Sequence, residues 1–186
     1  MSAIVVAGDT SGSITLQAPA VAGSNTFTLP AATGTVMVSG NMPAFSAYLS
    51  ADQSGVTSST ATKIAFNTKE FDTNSNFNNT GSTVGSNPAY SFLPTVAGYY
   101  QINGTMSGGG TYTRLFISIY KNGSEFKRGS DLLVNGGYAV TASSLVYLNG
   151  STDYISLYGW LLGTSLAFIS GANNGSYFQA ALVRAA

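Results

Sequence analysis

The chain contains no cysteine and no histidine. Without cysteine there is neither a disulfide nor thiolate chemistry. Without histidine, the commonest general base and the commonest transition-metal ligand are both missing. Charge is scarce as well. Seven Lys and Arg cancel seven Asp and Glu, and charged residues make up 8% of the sequence, against about 25% in an ordinary domain. Seven basic residues in 186 form no basic stripe, which argues against a nucleic-acid partner. No stretch holds eighteen consecutive apolar residues, and the opening MSAIVVAGDTSG has neither a basic region nor an apolar run of signal-peptide length. The expectation is a protein made in a cytoplasm and not inserted into a membrane. A chain so poor in charge repels its own copies weakly, which favours permanent interfaces or residence in a larger assembly.

What is present is β-forming. Ser, Thr, Asn and 22 Gly supply the polarity, 11 Tyr and 10 Phe supply bulk, and no segment has helical periodicity. The length suits one domain plus an appendage. The organising stretch is YSFLPTVAGYYQINGTM, Tyr90 to Met106. Tyr90 and Phe92 alternate with smaller residues and Pro94 ends that run. Gly98 then reopens the chain into Tyr100, Ile102, Gly104 and Met106 on one face at period two. The spacing of Phe92, Gly98, Tyr100 and Ile102 resembles the signature of the complement globular-head domains, the trimeric relatives of tumour necrosis factor. The resemblance extends over about residues 44 to 184 and implies a jelly roll and a homotrimer. It implies no function of its own.

Residues 1–43 differ from the rest. Ile14 and Leu16, Phe27 and Leu29, and Val36 and Val38 are three short alternating pairs separated by turn-forming residues. Strands this short need a neighbour, either their own copies or another protein. The phrase SGSITLQAPAVAGSNTFTLPAATGTVMV resembles a recurring segment of tailed-phage fibre and appendage proteins, where it precedes a C-terminal head. The fold expected is therefore all-β: an antiparallel jelly-roll sandwich over 44–186, with a short N-terminal β-ribbon over 1–43 for docking or trimerisation. The six apolar residues of the pairs are the candidate docking residues.

Within the head, FSAYL from Ala44 predicts a strand with Phe45, Ala47 and Leu49 inward, and Thr62 to Asn67 a second carrying Ile64 and Phe66. Residues 71–88 read as a long polar loop pinned by Phe71 and Phe77. SGGGTY, 107–112, predicts a flexible turn. Arg114 to Tyr120 predicts a strand with Leu115, Ile117 and Ile119 on one face and Phe116 and Tyr120 on the other. Asn122-Gly123 and Asn149-Gly150 both read as hairpin turns. After the second, Ile155, Leu157 and Leu161 oppose Tyr154, Tyr158 and Trp160. Strands apolar on both faces predict a second buried surface, which the implied trimer supplies. Tyr177 to Val183 closes the fold, with Phe178, Ala180 and Leu182 on one face.

Candidate chemistry is sparse. Glu70 and Asp72 lie two apart in a strand, like a glycosidase carboxylate pair, but no aromatic sugar cleft is evident around them. Asp72, Asn74 and Asn76 alternate like the start of a calcium loop. The match ends at Phe77, where the turn glycine belongs, and at Thr83, where the bidentate Glu belongs. Gly108 to Gly110 lacks the Gly-Lys-Ser/Thr of a phosphate loop, and no serine has a histidine to activate it. The sequons at Asn103, Asn122 and Asn149 matter only in a secretory pathway, and their Asn-Gly pairs are explained by turns. Tyr112, Tyr138 and the polar loop could present aromatics to a sugar ring. The expectation is a protein that is not an enzyme and that holds no cofactor or metal.

The two resemblances together imply a virion structural protein of a tailed bacteriophage: a trimeric short tail-fibre or appendage head concerned with host attachment. It would join other virion proteins through the N-terminal segment and meet a host-surface glycan or protein. A trimeric capsid decoration protein is the alternative reading, and a bacterial extracellular carbohydrate-binding domain a third.

Overall fold

The computed structural model describes residues 3–21, 23–28, 31, 33–34, 36–134, 137–172 and 174–186. Contacts within the chain divide it into two compact units, Met1–Gly34 and Thr35–Ala186.

The first unit is a two-stranded antiparallel ribbon. β1 (Ala3–Ala7) pairs with β2 (Ser13–Gln17) from Ala3↔Gln17 to Ala7↔Ser13, and Gly8 N donates to the Gly12 carbonyl across the turn at 3.0 Å. Ile14 and Leu16 lie in a strand as expected, and the neighbour such a short strand needs is β1. Phe27 sits in irregular chain and Leu29 lies outside the described residues. Val36 and Val38 fall in the second unit and outside any strand. The reason is local: the Asn41 side chain accepts from Val38 N at 2.7 Å and donates to the Val36 carbonyl at 3.3 Å, taking the groups a strand would have paired. A single 3₁₀ turn, Ser39–Asn41, follows.

The second unit contains β3 (Ala44–Tyr48), β4 (Gln53–Ser54), β5 (Thr62–Lys63), β6 (Thr68–Asp72), β7 (Phe77–Asn78), β8 (Ser91–Phe92), β9 (Gly98–Lys121), β10 (Ser124–Leu133), β11 (Ala139–Leu148), β12 (Ile155–Ile169) and β13 (Tyr177–Ala185). Every pairing is antiparallel. The first half of β9 lies between β11 and β13, and the sheet continues through β3 to β6. The second half of β9 lies between β10 and β12, whose far edge carries β8, β5 and β4 in turn. The result is an all-β, nearly closed antiparallel jelly-roll sandwich with a small separate N-terminal ribbon, the expected fold class.

β9 carries the chain from one sheet to the other, and the glycine run predicted as a turn lies inside it. SGGGTY is not a turn but the bend of one 24-residue strand. Gly110 takes φ +89, and a Cβ on it would collide with the backbone carbonyl of Ser165 on β12. Ser165 itself takes φ +53, beside the register shift between Thr164 and Ala167. The two strands therefore bend together, which is how a barrel corner is turned.

Asn122-Gly123 is a hairpin turn, with φ of +53 and +82 and Ser124 opposite Lys121. Asn149-Gly150 is not. β11 and β12 each pair with β9, on different sheets, so this turn crosses the sandwich. The Asn149 Oδ1 accepts from the backbone N–H groups of Ser151, Thr152 and Asp153 at 2.9–3.0 Å, holding the crossing without a ladder. Tyr90, expected in a strand, occupies a turn at φ +51, and the 62–67 strand is paired only over Thr62–Lys63.

The core is filled by alternation. Tyr100, Ile102 and Met106 face Leu115, Ile117, Ile119, Ile155, Leu157 and Leu161, and all nine are fully buried. Phe45 sits between Phe77 and Phe92 at centroid distances of 4.5 and 4.7 Å and meets Phe178 edge-on at 4.9 Å. Burying a large apolar side chain contributes about 1.5–3 kcal/mol, so this aromatic cluster anchors the end of the sandwich below the polar loop.

Candidate interaction surfaces

The ribbon has one apolar face. Ile4 opposes Leu16 and Val6 opposes Ile14, while Ala7 opposes Ser13 and Val5 opposes Thr15 on the other face. Those four side chains are 56–70% exposed, and a two-stranded ribbon is marginal alone. Ile14 and Leu16 are thus brought together with Ile4 and Val6. Phe27, Val36 and Val38 are also exposed but do not belong to that face. The sequence reading missed Ile4 and Val6, because AIVVA is apolar throughout and its period two is hidden.

The polar loop is self-contained. A register shift in β6 places Lys69 opposite Ala47 and Phe71 opposite Ser46, leaving Glu70 as the bulged residue. Phe71 consequently points outward and is exposed, whereas Phe77 is buried as expected. Glu70 accepts from the Ser46 hydroxyl, which in turn accepts from Gln179 Nε2 at 3.1 Å. Asp72 serves a different network: its carboxylate accepts from Asn76 N and Phe77 N, each at 3.0 Å, and from Lys69 Nζ at 2.8 Å. The two acids therefore serve separate networks, Glu70 a side-chain hydroxyl and Asp72 two backbone N–H groups and Lys69. Asn74 donates to the Gly40 carbonyl at 3.0 Å, so the calcium-like alternation is spent on the chain itself. Among the described residues there is no group of three or more His, Cys, Asp or Glu that could hold a metal.

The outer face of the first sheet carries an exposed apolar end. Tyr99 on β9 and Tyr147 on β11 meet at 5.5 Å, with Leu145 and Val183 exposed alongside. Beyond them the face turns polar, with Gln101, Asn103 and Ser143 joined by hydrogen bonds of 2.8–3.2 Å.

The outer face of the second sheet is built differently. Phe116 on β9 lies directly opposite Trp160 on β12, their rings stacked at 5.0 Å, and Tyr120 stacks on Tyr158 at 3.9 Å. Ser118 and Ser156 are buried on the same face of the two strands. Cations flank the rings: Arg128 lies 4.1 Å over Phe116, Arg114 5.5 Å from Trp160, and Lys63 on β5 5.7 Å from Tyr158. Arg114 is paired with Asp131 and Arg128 with Glu125. Hydrogen bonding from Arg114 holds the Asp131 carboxyl below its usual range, and Arg128 does the same for Glu125. Burial lowers the Lys63 ammonium pKa and raises those of the Tyr120 and Tyr158 hydroxyls. The apolar double-sidedness read from the sequence is real, and the aromatics it placed opposite the core are these. Tyr112 is not among them. It is buried, and its hydroxyl accepts from Tyr138 N at 2.8 Å and donates to the Tyr138 carbonyl at 3.2 Å. Tyr138 is exposed.

No protein-family model matches the sequence, and no curated protein does. Among solved structures the chain is similar to murine APRIL. The pH 8.5 crystal structure gives a TM-score of 0.54 at 7% identity, covering 76% of this chain and 99% of that one. The pH 8.0 structure gives 0.54 at 8% identity with the same coverage. The PRD1 vertex protein P5 aligns over 77% of this chain and 96% of its own at 14% identity, but its TM-score of 0.40 carries no weight. The likeness establishes the jelly-roll β-sandwich fold alone, a coarser statement than the complement-head resemblance of residues 92–102.

Proposed function

We propose that the chain is a structural protein of a tailed-phage virion: the trimeric head of a short tail fibre or appendage that engages the host surface. Its N-terminal segment docks it on other virion proteins through Ile14, Leu16, Phe27, Leu29, Val36 and Val38, joined by Ile4 and Val6. The observation that carries this reading is the ribbon, whose apolar face is exposed and which is too small to stand alone. The exposed Tyr99, Leu145, Tyr147 and Val183 supply the head with a surface for its own copies. The fibre-like phrase around the ribbon favours the tail over the capsid shell. Multivalent display turns weak contacts at each head into avidity.

Deleting residues 1–34 tests this directly. The remaining chain is expected to fold, to form trimers, and to be missing from assembled particles. A truncated head that still joins the particle would contradict the docking role, and a folded monomer would contradict the trimer.

A further inference from the structure

The head guards its sheet edges and the ribbon does not. β6, an outer strand of the head, carries Lys69, Glu70 and Asp72 and is bulged at Glu70. β10 carries Glu125, Lys127, Arg128 and Asp131 and breaks register twice. β11 has no charge, but β10 lies against it: the Ser130 hydroxyl donates to the Thr141 carbonyl at 3.2 Å, and a Cβ on Gly129 would collide with that carbonyl. Charges, bulges and covers of this kind keep an edge from pairing with another strand. In the ribbon, β1 and β2 hold an unbroken register and contain no charged residue, proline or glycine. Asp9, in the turn, is the sole charged side chain of residues 1–34. Both outer edges of the ribbon are thus open to pairing.

What pairs with them follows from geometry. Ile4, Val6, Ile14 and Leu16 share one face, and a two-stranded ribbon has nothing to cover it. The two edges differ, so joining the β1 edge of one copy to the β2 edge of the next is a heterologous contact, the kind that closes into a ring. About a threefold axis lying along the strands, every β1 runs one way and every β2 the other. Each β1 then meets the neighbouring β2 antiparallel, as it meets its own. Such a ring has no edge, and the four apolar side chains of each copy point into it while Ser13 and Thr15 stay outside. Charge complementarity is what selects a foreign partner, and these strands offer none. Uncharged copies tethered to a trimeric head instead meet one another at high effective concentration.

We infer that the partner of each ribbon is the ribbon of its two sister chains, the three closing into one antiparallel β-ring around Ile4, Val6, Ile14 and Leu16. The inference rests on the trimeric reading of the proposed function and gives its docking residues separate roles. Ile14 and Leu16 build the ring, and the exposed Phe27, Val36 and Val38 are left to touch the virion.

Two readouts on the purified full-length protein test the ring. Hydrogen exchange followed by mass spectrometry reads the amides of β1 and β2, about half of which point away from the partner strand in a lone ribbon. The chain has no cysteine, so Ser11→Cys at the ribbon turn carries one pyrene per chain, and excimer emission then reports contact between copies. The expected result is exchange slowed about tenfold or more along the whole of both strands, together with excimer emission. Val6→Asp puts a charge from each copy inside the ring and should abolish both signals while the melting of the head is unchanged. Thr15→Asp, on the outside, should keep them. The ring is overturned if the β1 and β2 amides exchange freely, if they are protected without an excimer, if both signals survive Val6→Asp, or if Thr15→Asp is as damaging as Val6→Asp.

Incorporation into particles separates the two readings. If the purified protein shows no ring but deletion of residues 1–34 still removes it from particles, docking stands and the ring is wrong. If the ring forms and Val6→Asp breaks it, yet the chain lacking residues 1–34 joins particles as the wild type does, the ring stands and the docking reading is wrong.

Discussion

Arg114 on β9 grips Asp131 on β10 through two parallel hydrogen bonds, Nε to Oδ1 at 2.8 Å and Nη2 to Oδ2 at 2.7 Å. Arg128 reaches the same carboxylate at 3.5 Å. Because the fold depresses the Asp131 carboxyl, chiefly through the Arg114 hydrogen bond, its contribution is complete above the unfolded pKa of about 3.9 and is lost as pH falls through the folded value. Asp131→Asn should therefore lower the melting temperature at pH 7 slightly and flatten the acid limb below pH 4. Melting curves recorded from pH 2 to 7 check this, and an unchanged acid limb would count against it. The effect is small because the pair is partly exposed.

Asp72 should behave as a structural cap and not as a calcium ligand. Its carboxylate satisfies two backbone N–H groups and Lys69, and its side chain is 5% exposed. Asp72→Ala strands those donors, with an expected cost of about 1–3 kcal/mol. Denaturant unfolding measures it. Calcium or a chelator should leave the wild-type midpoint where it is.

Gly110→Val should destabilise by about 1–3 kcal/mol, since a β-branched residue at positive φ is strained and its Cβ meets the Ser165 carbonyl. Thr111→Val, one residue on and exposed, serves as the comparison and should stay within about 0.5 kcal/mol of the wild type in the same unfolding assay.

What the sequence could disclose was set by local periodicity. Leu115, Ile117 and Ile119, like Phe178, Ala180 and Leu182, alternate in the sequence because successive side chains of a strand point to opposite sides, and each set is buried. The partner of a strand is a non-local fact. Asn149-Gly150 carries the local chemistry of a hairpin, yet both strands beside it chose β9. The glycines at 108–110 look like a loop because the same residue type serves turns and bends. One bulged residue, Glu70, reversed the facing of Phe71. The aromatic face was partly legible, since Phe116 and Tyr120, and Tyr158 and Trp160, fall outward by period. Their stacking and the arrival of Lys63 from β5 depend on register, which no single stretch of sequence encodes.

Self-association should depend on the exposed apolar end of the first sheet. Leu145→Glu places a charge on the exposed apolar end beside Tyr147, and is expected to shift a trimer towards monomer in sedimentation equilibrium with little change in secondary structure. A trimer that survives this substitution unchanged would move the interface elsewhere.

The most direct test of the central claim is where the protein sits on the particle. A small tag at the C-terminus, imaged on purified virions by electron microscopy, should appear at the tail or its appendages, in multiples of three. Label spread over the capsid would contradict the appendage reading in favour of decoration, and the absence of label from every particle would contradict a virion protein altogether.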